Sequence, residues 1–331
     1  MRRRFLSSDK RSVRYMTVEP LENGVYLSFG GSGLSYSIDD SDWVSLPMST
    51  NTPSINIGQT IKIKGLNIKT NTIQNHFVIN GRCKLSGTIM SIIYGDKPYE
   101  EKIPFDGCFV GAFYNCNSIV SVSPDFLPAT ILTEYCYSSM FYGCTSLVTA
   151  PELPATTLSD YCYYVMFDGC TSLTTAPELP ATTLTKCCYR EMFYGCSSLT
   201  TAPELPATRL AGWCYYYMFY GCTSLVTAPE LPATTLADHC YYEMFSNCTS
   251  LTTAPVLPAT TLAGGCYQYM FSGCSKLNYI KMLATDISAS NCLSSWVSNV
   301  SSTGTFVKNK NATWNVTGVS GVPNGWTIQK V

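Results

Sequence analysis

Between Cys108 and Cys292, apolar and polar positions recur with a period of 26 residues. In the unit that follows Pro151, Leu158, Cys162 and Met166 stand at i, i+4 and i+8, and Phe167 adjoins them. That spacing predicts a short helix with one inward face. The residue before the second cysteine of each unit is Gly143, Gly169, Gly195, Gly221 or Gly273, with Asn115 and Asn247 in two copies. Gly and Asn most readily accept a left-handed backbone, so this position predicts positive φ and the end of the helix. Thr171–Ala176 then reads as one strand of a parallel sheet, with Leu173 and Ala176 facing the core. Pro177 and Pro180 punctuate the turn into the next helix. A fixed period of this size predicts a solenoid, in which stacked copies share a core that none could form alone.

The ends break the period. Tyr15–Leu21, Gly24–Phe29 and Leu34–Ile38 alternate as half-buried strands do; Asp39-Asp40-Ser41-Asp42 is a turn, Trp43–Leu46 returns, and Ser54–Lys64 is another strand pair or a bent strand. They predict a small β-sandwich, Ig-like in its strand spacing, over residues 15–97. The segment from Cys83 to Ile93 is expected to start the solenoid sheet and cover its first coil. The solenoid then spans 98–331, with 26-residue repeats over about 108–291 and a C-terminal cap at 292–331. Residues 1–14 form a basic N-terminal arm beginning Met1-Arg2-Arg3-Arg4. The expected class is therefore mainly β with short helices, a β-sandwich followed by a capped solenoid with a parallel sheet.

Composition changes this picture at three points. Net charge is −1 and charged residues make up 13%, so bulk electrostatics gives no case for nucleic acid or an anionic membrane. No apolar run reaches the roughly 18 residues of a membrane helix, and no apolar segment follows the three arginines as a signal peptide requires. Seventeen cysteines would suit a disulfide framework in a secreted chain. Without an export signal they read instead as buried thiols, a disulfide such as Cys162–Cys170 being the alternative. With two histidines and no CxxC pair, zinc is not expected.

Candidate chemistry is sparse. There is no phosphate loop, nucleophile elbow or His–carboxylate pair, so no catalytic residue and no cofactor is assigned. Cys187, outside the period, reads as an exposed or boundary cysteine ahead of a reactive thiol. The three aspartates at 39, 40 and 42 lack a full calcium ligand set and read as a solvated turn. Glu152, Glu178, Glu204 and Glu230 repeat at one position; such a row must be solvated, paired or bridged by a cation. The positions two, three and six residues after the first cysteine vary between copies, unlike the turn and strand positions. They are expected to point outward. Trp213, Tyr216, Tyr217, Tyr220, Tyr194 and Tyr242 make this ridge the candidate binding surface for a protein or glycan on a cell surface, with neutral drift as the competing explanation.

The run Met-Phe-Tyr-Gly-Cys-Thr-Ser-Leu before a Pro turn resembles the BspA-like branch of leucine-rich repeats, over about residues 98–300. The resemblance implies a leucine-rich-repeat solenoid and a surface or adhesion role. The unit is longer than the family's usual one, and Met replaces its Ala. The arginine-rich start and the Pro-Asn-Gly-Trp-Thr-Ile ending also look like proteins of gut bacteria and their phages. The expected function is adhesion or structure without enzymatic activity, on a virion or bacterial surface, with the arm contacting an assembly partner. An intracellular interaction module, in the cytoplasm, and a carbohydrate-active protein are the alternatives.

Overall fold

The computed structural model describes residues 14–65, 76–97 and 102–331. All but one residue of the predicted arm lies outside them; Arg14 is described and pairs with Asp125. The alternating N-terminal segments form β1 (Met16–Pro20), β2 (Tyr26–Phe29), β3 (Leu34–Ile38), β4 (Val44–Leu46), β5 (Ile61–Gly65), β6 (Phe77–Asn80) and β7 (Cys83–Ser86). Six strands share one sheet in the order β4-β3-β5-β1-β7-β8, where β8 is Ile119–Val122; β2 pairs with β6 apart from it. β7 runs antiparallel to β1 on one side and parallel to β8 on the other. The N-terminal sheet therefore passes directly into the repeats. Phe77 on β6 lies 4.8 Å from Phe29 and 5.3 Å from Phe113, which joins the small sheet to the first repeat. A single helical turn, α1 (Ser91–Tyr94), packs on β5, where buried Ser91 bridges Met16 and Ile63 through its hydroxyl.

The repeats depart from expectation: they contain no α-helix. Tyr163, Val165, Phe167 and Gly169 donate N–H bonds of 2.8–3.1 Å to carbonyls of the next unit. The residues between them, Tyr164, Met166, Asp168 and Cys170, donate to the carbonyl three residues back at 3.1–3.4 Å. The chain is thus a ribbon of successive turns, with every other N–H committed to the neighbouring unit. Each fourth residue has positive φ: 55° at Tyr161, 48° at Val165 and 72° at Gly169. The predicted positive φ at the Gly or Asn position holds in all seven copies, including Asn115 at 55° and Asn247 at 61°. A left-handed non-glycine residue costs about 1–2 kcal/mol. The regular inter-unit bonds offset that strain, each contributing about 0.5–1.5 kcal/mol.

The ribbon also explains the misleading period. In a helix, 12 residues at about 100° each would rotate Cys170 by about 120° away from Leu158. Here the repeat is four, so pairs of side chains point inward without drift: Cys162 with Tyr163, then Met166 with Phe167, then Cys170, and all are buried. The expected strand is abbreviated as well. Successive units meet through isolated parallel bridges, one row of them running from Thr149 to Thr175, Thr201, Thr227, Thr253 and Tyr279. Pro151, Pro177, Pro203 and Pro229 follow two residues later and lack the donor that would extend the pairing. Full strands return only at the end, where β9 (Tyr279–Met282), β10 (Thr305–Lys308) and β11 (Thr327–Lys330) form a parallel sheet.

Stacking in register builds the core from columns of identical side chains. Phe113, Phe141, Phe167, Phe193, Phe219, Phe245 and Phe271 stack at 5.4–5.8 Å, with their planes within 2–9° of parallel. Tyr137, Tyr163, Tyr189, Tyr215, Tyr241 and Tyr267 form a second column at 5.6–5.9 Å. Trp296 closes both, 6.1 Å from Phe271 and 6.5 Å from Tyr267, and its indole N–H bonds to Gly321. All seventeen cysteines are free and buried. From Cys144 to Cys274 the second cysteine of each unit donates its Sγ–H to the carbonyl of the preceding unit's Phe, as Cys170 does to Phe141 at 3.1 Å.

Candidate binding face

The turn ribbon decides which residues reach the surface. After each inward pair, the next two residues face away from the core, and identical positions of successive units align along the stack. The position two after the first cysteine gives the column Tyr164, Arg190, Tyr216, Tyr242. Tyr216 and Tyr242 stack at 4.6 Å, and the Arg190 guanidinium lies between Tyr164 and Tyr216, at 5.4 and 4.6 Å. Six after the cysteine, Tyr194 and Tyr220 stack at 4.6 Å, 5° from parallel.

Tyr217 joins the columns. Its ring contacts Tyr216 at 4.4 Å, Tyr220 at 5.3 Å, Tyr242 at 5.6 Å and Tyr194 at 6.0 Å. Five of the six residues expected at the ridge thus form one cluster. Trp213 stands in another column, stacked on His239 at 5.6 Å, and reaches the cluster only through the His239–Tyr242 contact. Lys186 covers the other face of Trp213 at 5.4 Å.

The ridge is less exposed than its spacing suggests. All six aromatic residues are half-buried, and Val165 and Ser246, expected outside, are buried. Stacked columns shield one another, which reading one unit at a time does not reveal. The invariant Tyr163 column is wholly internal; its constancy beside the varying neighbours was the available signal.

Three carboxylates accompany the rings. Glu243 accepts a 2.8 Å hydrogen bond from the Tyr217 hydroxyl. Burial pushes the Glu243 carboxyl up, against the pull of the Tyr217 and Tyr242 hydroxyls. Burial, then Glu243, raises Tyr242 to about 12. Glu191 accepts from Arg190 Nε at 2.9 Å; burial opposes the guanidinium charge, but Glu191 more than restores it. Asp168 is pushed up to about 7, by burial first and then by Glu191. The sequence placed these groups on the variable face but gave no sign of their pairing.

The profile of the BspA-type leucine-rich repeat region matches the chain in six copies, over residues 110–203 and 214–310, more than half of its length. The chain belongs to the BspA-type leucine-rich repeat family. No curated protein matches it in sequence. The BspA-type repeat is a protein-interaction or adhesion module, which directs attention to surfaces.

On this BspA-type array the other candidate positions are plain. Glu152, Glu178, Glu204 and Glu230 are all exposed, separated by Pro-lined grooves. Cys187, read as an exposed or boundary cysteine, is buried in the column between Tyr161 and Trp213. Asp39 accepts from the Thr60 backbone and Gln59, and Asp40 pairs with Lys62. Among the described residues no three His, Cys, Asp or Glu side chains gather as metal ligands, and no helix is long and apolar enough to cross a membrane.

Proposed function

We propose that this is a non-enzymatic adhesion or structural protein of a phage particle or bacterial surface, with the tyrosine cluster around Tyr217 as its contact face. Residues 98–331 form a capped leucine-rich-repeat solenoid. The β-sandwich of residues 15–97 and the arm of residues 1–14 attach it, leaving the repeats to meet the partner. The convergence of Tyr194, Tyr216, Tyr220 and Tyr242 on Tyr217 carries this reading. Neutral drift has no reason to assemble one contiguous aromatic surface from three units. Rigid tyrosines lose little conformational entropy on binding and recur in binding hot spots.

The rings also favour a polypeptide over a sugar. A sugar stacks on an open ring face, whereas these faces lie against one another and present edges and hydroxyls. The test is binding of the labelled full chain to bacterial cells, before and after protease treatment of the cells. Binding that protease abolishes, and that Tyr216→Ser with Tyr220→Ser weakens at least tenfold, supports the reading. Undiminished binding by the folded double variant assigns contact elsewhere.

A further inference from the structure

The column six after the first cysteine carries a gap. Tyr114 and Tyr142 stack at 4.8 Å, and Tyr194 and Tyr220 at 4.6 Å, but the unit between Tyr142 and Tyr194 has Asp168 there. Two unit steps separate the flanking rings, roughly 9–10 Å at the spacing of paired strands. That width suits one flat group between two ring faces. Aspartate is shorter than tyrosine, so its carboxylate forms the floor of the slot. The Asp168 charge is the foremost cause raising the Tyr142 phenol, and it acts on Tyr194 after burial and Tyr220. Among the described residues no hydrogen bond or ion pair reaches that carboxylate.

The molecule contains a filled version of the same slot. Arg190 lies between Tyr164 and Tyr216, two units apart, with Glu191 beside it. Ring, guanidinium and ring, with a carboxylate at the edge, is the arrangement that Tyr142, Asp168 and Tyr194 reproduce without the cation. Guanidinium is planar, weakly hydrated and stacks on aromatic faces, whereas ammonium is a hydrated point charge.

We propose that the Tyr142–Asp168–Tyr194 slot binds an arginine guanidinium, and that in the unattached chain its occupant is the Arg2-Arg3-Arg4 run of the N-terminal arm, which attachment withdraws. Charge distribution argues for this source. Residues 1–13 carry five basic side chains against one acid, while residues 102–275 carry twelve acids against four bases. Arg14 is held at Asp125, and the ten residues back to Arg4 extend up to about 35 Å, against a unit spacing of about 5 Å along the stack. The guanidinium would supply the cation partner that the Asp168 carboxylate lacks among the described residues.

The experiment uses a labelled peptide of the sequence Met1–Arg14. The receptor is the full chain with Arg2, Arg3 and Arg4 replaced by Ala, so that its own arm does not compete. Fluorescence anisotropy should show binding that weakens at least tenfold with Asp168→Asn, with Tyr142→Leu, or with a peptide carrying Lys at positions 2, 3 and 4. Equal affinity for the Arg and Lys peptides would show that charge alone is read and overturn the slot. Failure of the Arg peptide to bind would overturn the arm as its occupant. The peptide assay uses no cells, so its outcome is separate from the cell-binding test of the tyrosine cluster.

Discussion

The side chain of Asn115 occupies the place where a Cβ on Gly143 would project, so the one residue requires the absence of a side chain in the other. Asn247 and Gly273 repeat the relationship. Gly195 has open space in that direction. All these glycines have positive φ, so Gly195→Ala should cost about 1 kcal/mol through backbone strain alone. Gly143→Ala should cost a further 1–3 kcal/mol or so, because Asn115 must move. Urea midpoints for the two variants decide this, equal shifts ruling out the steric coupling. Gly169→Asn should be mild, but should make a subsequent Gly195→Ala more costly than the sum of the two.

The thiols should be inert in the native protein. Burial pushes Cys136, Cys188, Cys240 and Cys274 to about 12, so almost none is thiolate at pH 8. A thiol reagent at pH 8 should label few sites on the folded chain and all seventeen after denaturation. Labelling fewer than seventeen in freshly unfolded, unreduced protein would reveal disulfides.

In the chain with Arg2, Arg3 and Arg4 replaced by Ala, which leaves the slot empty, Asp168 should make stability fall with rising pH. Its carboxyl titrates at about 7 when folded and near its ordinary value of 3.8 when unfolded. Between those values the folded chain binds the extra proton, so the contribution is present below about 4 and lost as pH rises through 7. The groups around it are Glu191 with its partner Arg190, the phenols Tyr142 and Tyr194, and the thiols Cys170 and Cys196. Asp168→Asn should flatten the urea-midpoint profile between pH 4 and 7 and raise stability at pH 8. An unchanged slope would place the titration elsewhere.

Tyr217→Phe removes one hydroxyl and leaves the half-buried Glu243 without its 2.8 Å donor. The expected loss is about 1 kcal/mol, at the lower end for a hydrogen bond to a charged group because solvent reaches the pair. The ring remains, so the far-ultraviolet spectrum should not change. A double-mutant cycle with Glu243→Gln isolates the pair.

The parts of the fold legible in the sequence were those imposed by chemistry at single positions. The exchange of Gly169 for Asn247 at equivalent places identified a left-handed residue because few side chains tolerate one. The neighbouring left-handed positions, Tyr161 and Val165, were invisible because those residues ordinarily avoid that region. Inter-unit bonds hold them there, and no local pattern encodes bonds to residues 25 positions away. The same applies to the candidate face. Variable tyrosines marked its location, but the sandwiching of Arg190 and the gap above Asp168 exist only once units are stacked in register.

The alternation of hydrogen bonds along the ribbon also has an electrical result. Tyr161, Tyr163, Val165, Phe167 and Gly169 all donate toward the C-terminal end, and the same five positions do so in every unit from Gly107 to Gly273. In an ordinary strand, successive peptide dipoles alternate and largely cancel. The axial peptides of the ribbon share one orientation, so their moments add as they do in a helix, with the N–H pole toward Trp296 instead of toward the chain start. Lys308, Lys310 and Lys330 lie beyond that pole, while the acidic units precede it. The ribbon thereby carries an axial dipole of its own within a protein whose net charge is only −1, and the two ends of the stack present opposite poles to a partner.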